Sequence, residues 1–412
     1  MAYPIIEIEV TRPLPALSFS QSDTGVALLI RRKSKPIGFW LEPLADVQVL
    51  TPDDLARRIG ERVSTRLLSE DIRKETSLAV PRVFPSVTIA ICTKDRPDNL
   101  ACCLDSLQKC LVGEVKLVSL VEILIVDNAS SDSRTHQLAV SQSNVRYVYE
   151  PKPGLNFARN RAIQEATGEL LAFLDDDVTV DRGWLTGLLE TAVKDPDAVA
   201  FTGQVLPYEL ETEAQILFEQ RGGFRRGFDK IRYGKTLPGD AFYPCQASVF
   251  GTGANMAFRR DILVKLGGFD EALDTGSPLP GGGDLDIFYR VIRAGYPLIY
   301  EPQYLVFHQH RREMKALRRQ YERSWGKGYM AFLVKSYQTD PSYRYKLCCL
   351  IAKWLGEHVW KLQKSLRGRF VLPPDMVFAE LWGGISGIAG GYSRSQKRVQ
   401  EIRRLMTSAT VK

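Results

Sequence analysis

The amino-acid sequence predicts an α/β protein whose main domain is a mostly parallel β-sheet flanked by helices. From residue 87 onward, short apolar runs alternate with stretches of helical character, the pattern of strand–helix–strand units. Before residue 83, a predicted hairpin and one helix indicate a small α+β module. After residue 341, long amphipathic segments indicate a helical C-terminal extension. The chain therefore divides into residues 1–82, 83–335 and 336–412.

The N-terminal module begins with a predicted β-hairpin, in which the apolar runs 25–32 and 37–43 flank a polar connection that contains a proline. A helix is predicted after it, because Thr51 can cap a helix and Pro52 suits the first helical position. Residues 81–85, bounded by two prolines, indicate a linker. No residue of the module points to a particular chemistry.

The central domain is predicted to contain four strands, at 87–92, 121–127, 145–149 and 170–175. The helices predicted between them span residues 97–110, 131–140 and 156–166. Gly168 is expected to close the third helix as a C-terminal cap. This alternation is typical of sheets that bind nucleotides.

The C-terminal extension contains an amphipathic stretch at 345–370 and a shorter apolar one at 378–392. Such helices either pack against the main domain, which is the commoner case, or dock on a membrane surface. Both interpretations remain open from the sequence.

Composition narrows the class of protein. Of the 412 residues, 44% are apolar and 25% are charged, which excludes disordered, collagen-like and disulfide-scaffold chains. The net charge of +7 comes partly from basic pairs such as Arg225-Arg226 and Arg311-Arg312. These pairs fit an anionic substrate, a membrane surface or a solvated helix face. A nucleic-acid partner is not expected.

Cysteine usage and hydropathy predict a cytoplasmic protein, with peripheral contact at the inner face of the membrane left open. The seven cysteines show neither Cys-x-x-Cys spacing nor an even disulfide framework, so a reducing compartment is the simplest interpretation. The N-terminus lacks the features of a secretory signal. No run approaches the roughly 18 apolar residues that a spanning helix needs.

Acidic residues follow two of the predicted strands. Asp127 ends the second strand, where a carboxylate at the carboxyl edge of the sheet can bind a base or ribose, although Asp127 can equally form a turn. Asp175, Asp176 and Asp177 end the fourth strand and would repel one another unless a cation or hydrogen-bond donors compensated them. Carboxylates select Mg²⁺ or Mn²⁺, which also bind phosphate oxygens. The competing interpretation of this run is an acidic loop that caps a helix.

Four ordered segments of the chain, VTIAICTKDRP, ILIVDNASSD, PGLNFARNRAIQEATGELLAFLDDD and GANMAFRRDILVKLGGFDEAL, resemble inverting family 2 glycosyltransferases of the GT-A fold, a Rossmann-like nucleotide-binding fold. The resemblance covers roughly residues 86–330. It implies a nucleotide-sugar donor, a hydroxyl acceptor and a divalent cation.

The resemblance also implies roles for single residues. Asp127 would bind the uracil or another base, Asp175 the ribose and Asp177 the metal ion, while Asp176 fills the variable position of the Asp-x-Asp motif. The remaining positions implied to contact the nucleotide or its ribose are Thr93, Asp95, Arg96, Lys152, Arg159 and Asn160. Arg159 could equally be an ordinary salt-bridge partner.

The catalytic base is implied by the segment GGGDLDIFYR (281–290), which resembles the Gly-Glu-Asp-x-Asp segment of the family. Asp284 takes the position of the base, and Gly283 stands where the family has glutamate. A carboxylate at this position can remove the proton of an acceptor hydroxyl during attack on the anomeric carbon. The alternative for Asp284 and Asp286 is a helix start with an acidic first turn.

Two further sequence patterns follow Asp284 along the chain. His308 is a candidate metal ligand or phosphate contact, with a structural role as the alternative, and His310 is not assigned to the site. Gln320, Arg323 and Trp325 resemble the Gln-x-x-Arg-Trp signature of processive synthases with one extra residue. Processive members export their polymer through several spanning helices, which this sequence does not predict, so transfer of a single sugar to a defined acceptor is expected.

The sequence thus predicts a metal-assisted, inverting glycosyltransferase of the hexosyltransferase type, with a UDP-sugar as the expected donor. The acceptor would be a carbohydrate, a lipid-linked sugar or a small molecule. A nucleotidyltransferase is a weaker alternative, because the loop CTKDRPDN after the first strand has no glycine. A catalytically inactive nucleotide-binding scaffold is the other alternative.

Overall fold

The computed structural model describes residues 2–44, 49–76, 83–114, 117–273, 276 and 278–410. A large mixed sheet lies at the centre, a small sheet packs beside it and a group of helices follows. The elements of the N-terminal part are β1 (Ile5–Glu9), β2 (Leu17–Ser18), β3 (Gly25–Arg32), β4 (Lys35–Pro43), β5 (Val49–Leu50) and α1 (Pro52–Thr76). The predicted boundary at residue 82 lies outside the described residues.

The central part contains the remaining strands. Its elements as far as the fourth predicted strand are β6 (Val87–Thr93), α2 (Pro97–Val112), β7 (Val121–Asn128), α3 (Arg134–Val140), β8 (Val145–Glu150), α4 (Leu155–Glu165) and β9 (Leu170–Asp175). Those that follow are β10 (Val178–Val180), α5 (Trp184–Lys194), β11 (Ala200–Pro207), α6 (Glu213–Gln220), β12 (Ile231–Tyr233), β13 (Asn255–Arg259), α7 (Arg260–Lys265), α8 (Gly283–Arg293) and β14 (Leu298–His308).

Helices form the C-terminal part, which begins directly after β14. They are α9 (Met314–Gln320), a π-helical stretch (Tyr321–Gly328), α10 (Tyr329–Thr339), α11 (Arg344–Leu366), α12 (Pro374–Ile388) and α13 (Gly391–Thr410).

The small N-terminal sheet packs on both of its faces. Strands β1, β3 and β4 form it, with β1 parallel and β4 antiparallel to β3. Because side chains alternate along a strand, Leu28 and Ile30 of β3 pack with α1, whereas Ala27 and Leu29 pack against Leu206 of β11. The module therefore rests directly on the central sheet.

A buried ion pair crosses this junction. The Arg31 guanidinium, 1% exposed, donates to Asp181 Oδ2 over 2.5 Å and to both carboxylate oxygens of Glu7. The Arg31→Ala change is expected to lower the free energy of unfolding by roughly 3–5 kcal/mol, because it leaves the Asp181 charge buried without its guanidinium. Urea unfolding followed by tryptophan fluorescence measures this effect.

The matched control is Arg57→Ala on the exposed surface of α1, whose ion pairs with Asp54 and Glu61 are solvated and are each expected to contribute about 0–1 kcal/mol. Equal stability of the Arg31 and Arg57 variants would contradict a stabilising role for the buried pair.

The central sheet has nine strands in the order β10-β14-β11-β13-β9-β6-β7-β8, with β12 paired to β14. The long strands β6, β7, β8, β9, β11 and β14 run in one direction, and β13 runs against them. Along β6, Ile89 and Ile91 enter the core on one face while Ala90 and Cys92 enter the core on the other. Helices cover both faces, as the continuous apolar runs predicted. The predicted α/β fold class with a helical C-terminal region is confirmed.

The prediction about Gly168 is wrong. Helix α4 ends at Glu165, and its C-cap residue, Ala166, is extended. A Cβ atom on Gly168 would lie 2.4 Å from the backbone nitrogen of Thr88, so glycine is required there by close approach to β6. The helix predicted at 131–140 begins only at Arg134, because the backbone and side chain of Ser131 donate to Asp95 instead.

Helix α12 packs closely on the π-helical stretch. A Cβ atom on Gly326 would lie 2.2 Å from the carbonyl oxygen of Glu380, and one on Gly383 would lie 1.8 Å from that of Glu322. Only glycine allows this separation of the two backbones. Among the helices in the described part of the chain, none has the length and apolar character needed to cross a bilayer.

Candidate active-site cleft

A cleft of about 830 Å³ opens beside the carboxyl end of β9. Asp175 and Arg159 line it from the central domain, and Asp284 lines it from the start of α8. Its far wall comes from the C-terminal helices, including Trp354 of α11 and Glu380 of α12. Two of the predicted site carboxylates, 109 residues apart in the sequence numbering, thus face one cavity.

The three consecutive acids at the end of β9, of which Asp175 is the last residue of the strand, have different surroundings. Asp175 is half-buried at the cleft, whereas Asp176 and Asp177 are buried. Thr93 donates to Asp176 Oδ2 over 2.7 Å, and Arg96 donates to Asp176 Oδ1 over 2.5 Å and to Asp177 Oδ2 over 3.0 Å. The repulsion expected within the acidic run is therefore compensated by hydrogen-bond donors of the chain itself.

Burial determines the protonation behaviour of this run. Burial raises the pKa of Asp175, and the neighbouring charges of Asp177 and Asp176 raise it further. Burial also raises the pKa of Asp176 to about 6, although the positive charge of Arg96 opposes this shift. Burial alone would raise the pKa of Asp177 as well, but contacts with His308 and Arg96 hold it below the ordinary value. Asp177 is therefore the member of the run that is most readily ionised.

His308 lies beside Asp177 at one end of a buried chain of polar side chains. Its Nε2 is 3.4 Å from Asp177 Oδ1, and its Nδ1 is 3.0 Å from Nδ1 of His310. His310 Nε2 is 2.9 Å from Glu219 Oε1, and Arg225 lies 2.9 Å from the other oxygen of Glu219. Burial lowers the pKa of His308 to about 4, so its imidazole is neutral at pH 7.

The hydrogen bonds assign the tautomers of the two histidines. With both imidazoles neutral, the Glu219 carboxylate accepts a hydrogen bond from Nε2–H of His310, so His310 Nδ1 carries a lone pair. His308 then donates from its own Nδ1 and keeps a lone pair on Nε2, directed at Asp177. Two acceptors thus face each other, an arrangement that fits a cation bound between an imidazole and a carboxylate.

Asp284 sits in the first turn of α8. Its Oδ2 accepts from the backbone nitrogen of Gly253 over 2.9 Å, and its Oδ1 accepts from that of Leu285 over 2.9 Å. Gly282 before it has a φ of 99°. A Cβ atom on Gly283 would lie 2.2 Å from the Asn156 amide nitrogen, so a glutamate cannot stand at this position without a shift. The glycine run therefore fits a tight approach around the predicted base.

Asp127 is the last residue but one of β7 and is paired in register with Thr93 of β6, at the same edge of the sheet as Asp175. It is buried, and its two oxygens accept from the hydroxyl groups of Ser130 and, over 2.8 Å, Tyr147. Asp95 adopts a left-handed φ of 54° and binds the backbone nitrogen of Ser131 over 2.6 Å. Their predicted contacts with a nucleotide remain predictions.

The other residues predicted to bind nucleotide lie at different distances from the cleft. Arg159 lines it, 3.7 Å from Asp175 Oδ1. Lys152 lies near Glu150, with 3.8 Å between the amine and a carboxylate oxygen, and does not line the cleft. Asn160 donates to the backbone of Phe269 over 2.9 Å and accepts from it over 2.8 Å. Its amide is thus engaged in holding a loop.

The sequence did not indicate the far wall of the cleft. Trp354, His358 and Lys361 of α11 line it, and the rings of Trp354 and His358 stack with centroids 3.7 Å apart. Arg226 lines it too and donates to the Ser248 carbonyl over 2.7 Å. The amphipathic pattern of 345–370 indicated a helix that packs against the main domain or docks on a membrane, without indicating a contact with the cleft. Of the imperfect synthase signature, Gln320 and Trp325 line the cleft.

Comparison with known proteins finds a family match in the central part of the chain. Residues 88–267 match the family described as "Glycosyl transferase family 2". The match contains the three acids at the end of β9 but ends before Asp284 and His308. The succinoglycan biosynthesis protein ExoM of Rhizobium meliloti is 32% identical over 49% of this chain and 64% of its own length.

More distant similarities extend the comparison. A glucosyl-dolichyl phosphate glucuronosyltransferase of Haloferax volcanii is 28% identical over 31% of this chain and 37% of its own length. The chain thus spans less than two thirds of both curated relatives. A mannosyltransferase of Pyrobaculum calidifontis, solved with GDP-Man and Mn²⁺, aligns at 16% identity over 85% of this chain and 89% of its own, with a TM-score of 0.42.

Proposed function

We propose that this protein, whose residues 88–267 match the family described as "Glycosyl transferase family 2", transfers a hexosyl group from a nucleotide-diphosphate sugar to an acceptor hydroxyl with inversion at the anomeric carbon. The observation that carries this proposal is the cleft that Asp175 and Asp284 share. Arg159 lies 3.7 Å from Asp175 and 3.4 Å from the carbonyl oxygen of Gly253, whose backbone nitrogen donates to Asp284.

Asp284 is the proposed base. Both of its hydrogen bonds come from backbone nitrogens, which orient the carboxylate. Among the described residues, no cationic side chain lies at hydrogen-bond distance from it, so its negative charge is not neutralised. It removes the proton of the acceptor hydroxyl as that oxygen forms a bond to the anomeric carbon. The bond from this carbon to the diphosphate breaks on the opposite face, and the nucleoside diphosphate leaves with the bonding electrons. A displacement of this kind inverts the anomeric centre.

The nucleotide is proposed to bind along the carboxyl edge of β6, β7 and β9, where ligands of open α/β sheets sit. Asp127 would bind a uracil and Asp175 the ribose. Asp95, Arg96 and Lys152 would surround the nucleotide. The common edge of Thr93, Asp127 and Asp175 supports this arrangement. A UDP-sugar is the proposed donor.

A divalent cation, Mg²⁺ or Mn²⁺, is proposed to bind at Asp177 and His308. The facing lone pairs on Asp177 Oδ1 and His308 Nε2 support this proposal. The described residues contain no larger site, that is, no group of three or more acidic, histidine or cysteine side chains that could hold a metal ion. Few protein ligands are typical of cations that bind together with substrate phosphates. When bound, the cation supplies positive charge to the diphosphate. Arg96 holds Asp177 in place for that contact.

The acceptor is proposed to bind between Asp284 and the C-terminal helices. Trp325, Tyr329 and Trp354 line that part of the cleft and offer aromatic surfaces to a sugar ring. A carbohydrate or lipid-linked acceptor fits this wall. A reducing, cytoplasmic setting is also proposed, since the seven cysteines show neither Cys-x-x-Cys spacing nor an even disulfide framework.

Calorimetry with UDP, GDP and their sugars, with and without Mn²⁺, tests the proposal. We expect binding that depends on the metal ion and favours UDP, and donor-dependent release of nucleoside diphosphate. Release of pyrophosphate would instead identify a nucleotidyltransferase. Failure of every nucleotide to bind would identify a scaffold.

A further inference from the structure

One face of helix α12 exposes large apolar side chains. Phe378 is 51% exposed, Trp382 55% and Ile385 44%, and their spacing of four and three residues places them in one stripe along the helix. The opposite side of α12 faces the protein: Glu380 lines the cleft, and Gly384 lies against Trp354. The stripe is therefore the outward face of a helix that also forms the cleft wall.

Basic side chains lie beside this apolar stripe. Arg318 and Glu322 border the same surface depression as Phe378 and Trp382, and Arg318 lies 3.5 Å from Asp375 at the start of α12. The segment 311–323 carries six basic and two acidic residues. Its exposed basic members on the helical part are Lys315, Arg318, Arg319 and Arg323. We call these four residues the basic arc.

The stripe and the basic arc belong to helices that pack against each other. The close contact through Gly326 and Gly383 holds α12 on the π-helical stretch that continues from α9. Arg318 of the arc and Phe378 and Trp382 of the stripe border one surface depression.

We propose that this surface docks on an anionic lipid membrane. Tryptophan and phenylalanine side chains with flanking cations are the composition of helices that lie in the interface of a bilayer. Anionic headgroups attract basic segments near the surface. A protein partner or a second copy of the chain could also cover an apolar stripe, but the four cations of the basic arc outnumber the neighbouring acids Glu322 and Asp375, and this excess favours anionic headgroups.

This docking has a consequence for the cleft. An α-helix with its side chains is about 10 Å wide, so a membrane in contact with Trp382 would lie one helix diameter from Glu380. An acceptor sugar carried on a membrane lipid would then be held near the cleft. This consequence rests on the proposed function, whereas the docking itself does not.

Flotation of the full chain with lipid vesicles tests the proposal. We expect the protein to float with vesicles of phosphatidylcholine and phosphatidylglycerol, to bind phosphatidylcholine alone more weakly and to be released by salt. The double change Phe378→Ser and Trp382→Ser is expected to lower binding at least about tenfold, because it removes two large apolar side chains from the bilayer. Arg318→Glu with Arg319→Glu is expected to lower it by a similar factor.

Matched controls separate this surface from the rest of the molecule. Tyr208→Ser with Val264→Ser removes apolar groups that are exposed to a similar degree elsewhere, 50% and 51%, and is expected to leave flotation unchanged. Asp284→Asn is also expected to float normally, so that failure of catalysis and failure of docking remain distinct. Absence of flotation with either vesicle, or normal flotation of the Phe378 and Trp382 variant, would overturn the proposal. So would a homodimer that this variant dissociates without a change in vesicle binding.

Discussion

Replacing Asp284 by asparagine is expected to lower kcat by roughly 10²–10⁴-fold, the range that a positioned general base contributes. Asparagine keeps the shape of the side chain and an oxygen that can accept from the backbone nitrogen of Gly253. It cannot accept the proton of the acceptor hydroxyl. Steady-state assays of nucleoside diphosphate release measure the effect, and donor affinity by calorimetry is expected to stay unchanged.

The neighbouring Asp286 provides the contrast. It is fully buried and accepts from Lys335 over 2.5 Å and from Arg290 over 2.8 Å, so it belongs to an ion-pair network rather than to the cleft. Asp286→Asn is expected to lower thermal stability, because it leaves Lys335 without its charged partner. Retained turnover in the Asp284 variant would contradict its role as base and direct attention to Asp175, the other central-domain carboxylate in the cleft.

The fold and one side of the site could be predicted from the sequence because they follow local rules. Apolar runs of strand length that end in acids place Asp127 and Asp175 at one edge of a parallel sheet, since strands running in one direction end together. The resemblance to a family then added Asp284, and the structure places it on the same cleft as Asp175.

The partners of these residues could not be predicted in the same way. Arg96 and Asp176 are 80 residues apart, and His310 and Glu219 are 91 apart, so their pairing depends on how distant elements pack. No periodic pattern encodes such contacts. The same holds for Gly168, whose local sequence indicates a helix cap while the approach of β6 determines its role. The far wall of the cleft escaped prediction because an amphipathic pattern shows that a helix has an inner face without showing what that face contacts.

Replacing Glu219 is also expected to have a large effect, because Glu219 orients the proposed metal ligand His308 through His310. Its carboxylate accepts a hydrogen bond from His310 Nε2–H, and that bond leaves neutral His308 with a free lone pair toward Asp177. Glutamine in its place can turn its amide nitrogen to His310. His310 would then carry its proton on Nδ1, His308 would accept there, and the proton of His308 would move to Nε2, where it blocks the cation.

The Glu219→Gln change is therefore expected to weaken Mn²⁺ binding in the presence of UDP by roughly 10–100-fold, the range found for groups that orient metal ligands. Calorimetric titration with Mn²⁺, or its electron paramagnetic resonance signal, measures this without turnover. Glu211→Gln, at an exposed carboxylate that pairs with Arg312, is the matched control and is expected to bind Mn²⁺ normally.

A purely structural role of the chain from Asp177 to Glu219 makes a different prediction. Glu219 also pairs with Arg225, so loss of its charge lowers stability under either interpretation. If Glu219 acts by fixing the tautomer of His308, His310→Phe must also weaken Mn²⁺ binding, because it removes the acceptor for His308 Nδ1. A purely structural role does not require this effect. Unchanged Mn²⁺ affinity in both folded variants would show that His308 needs no partner to present its lone pair, and the role of Glu219 would then be to hold Arg225 and α6 alone.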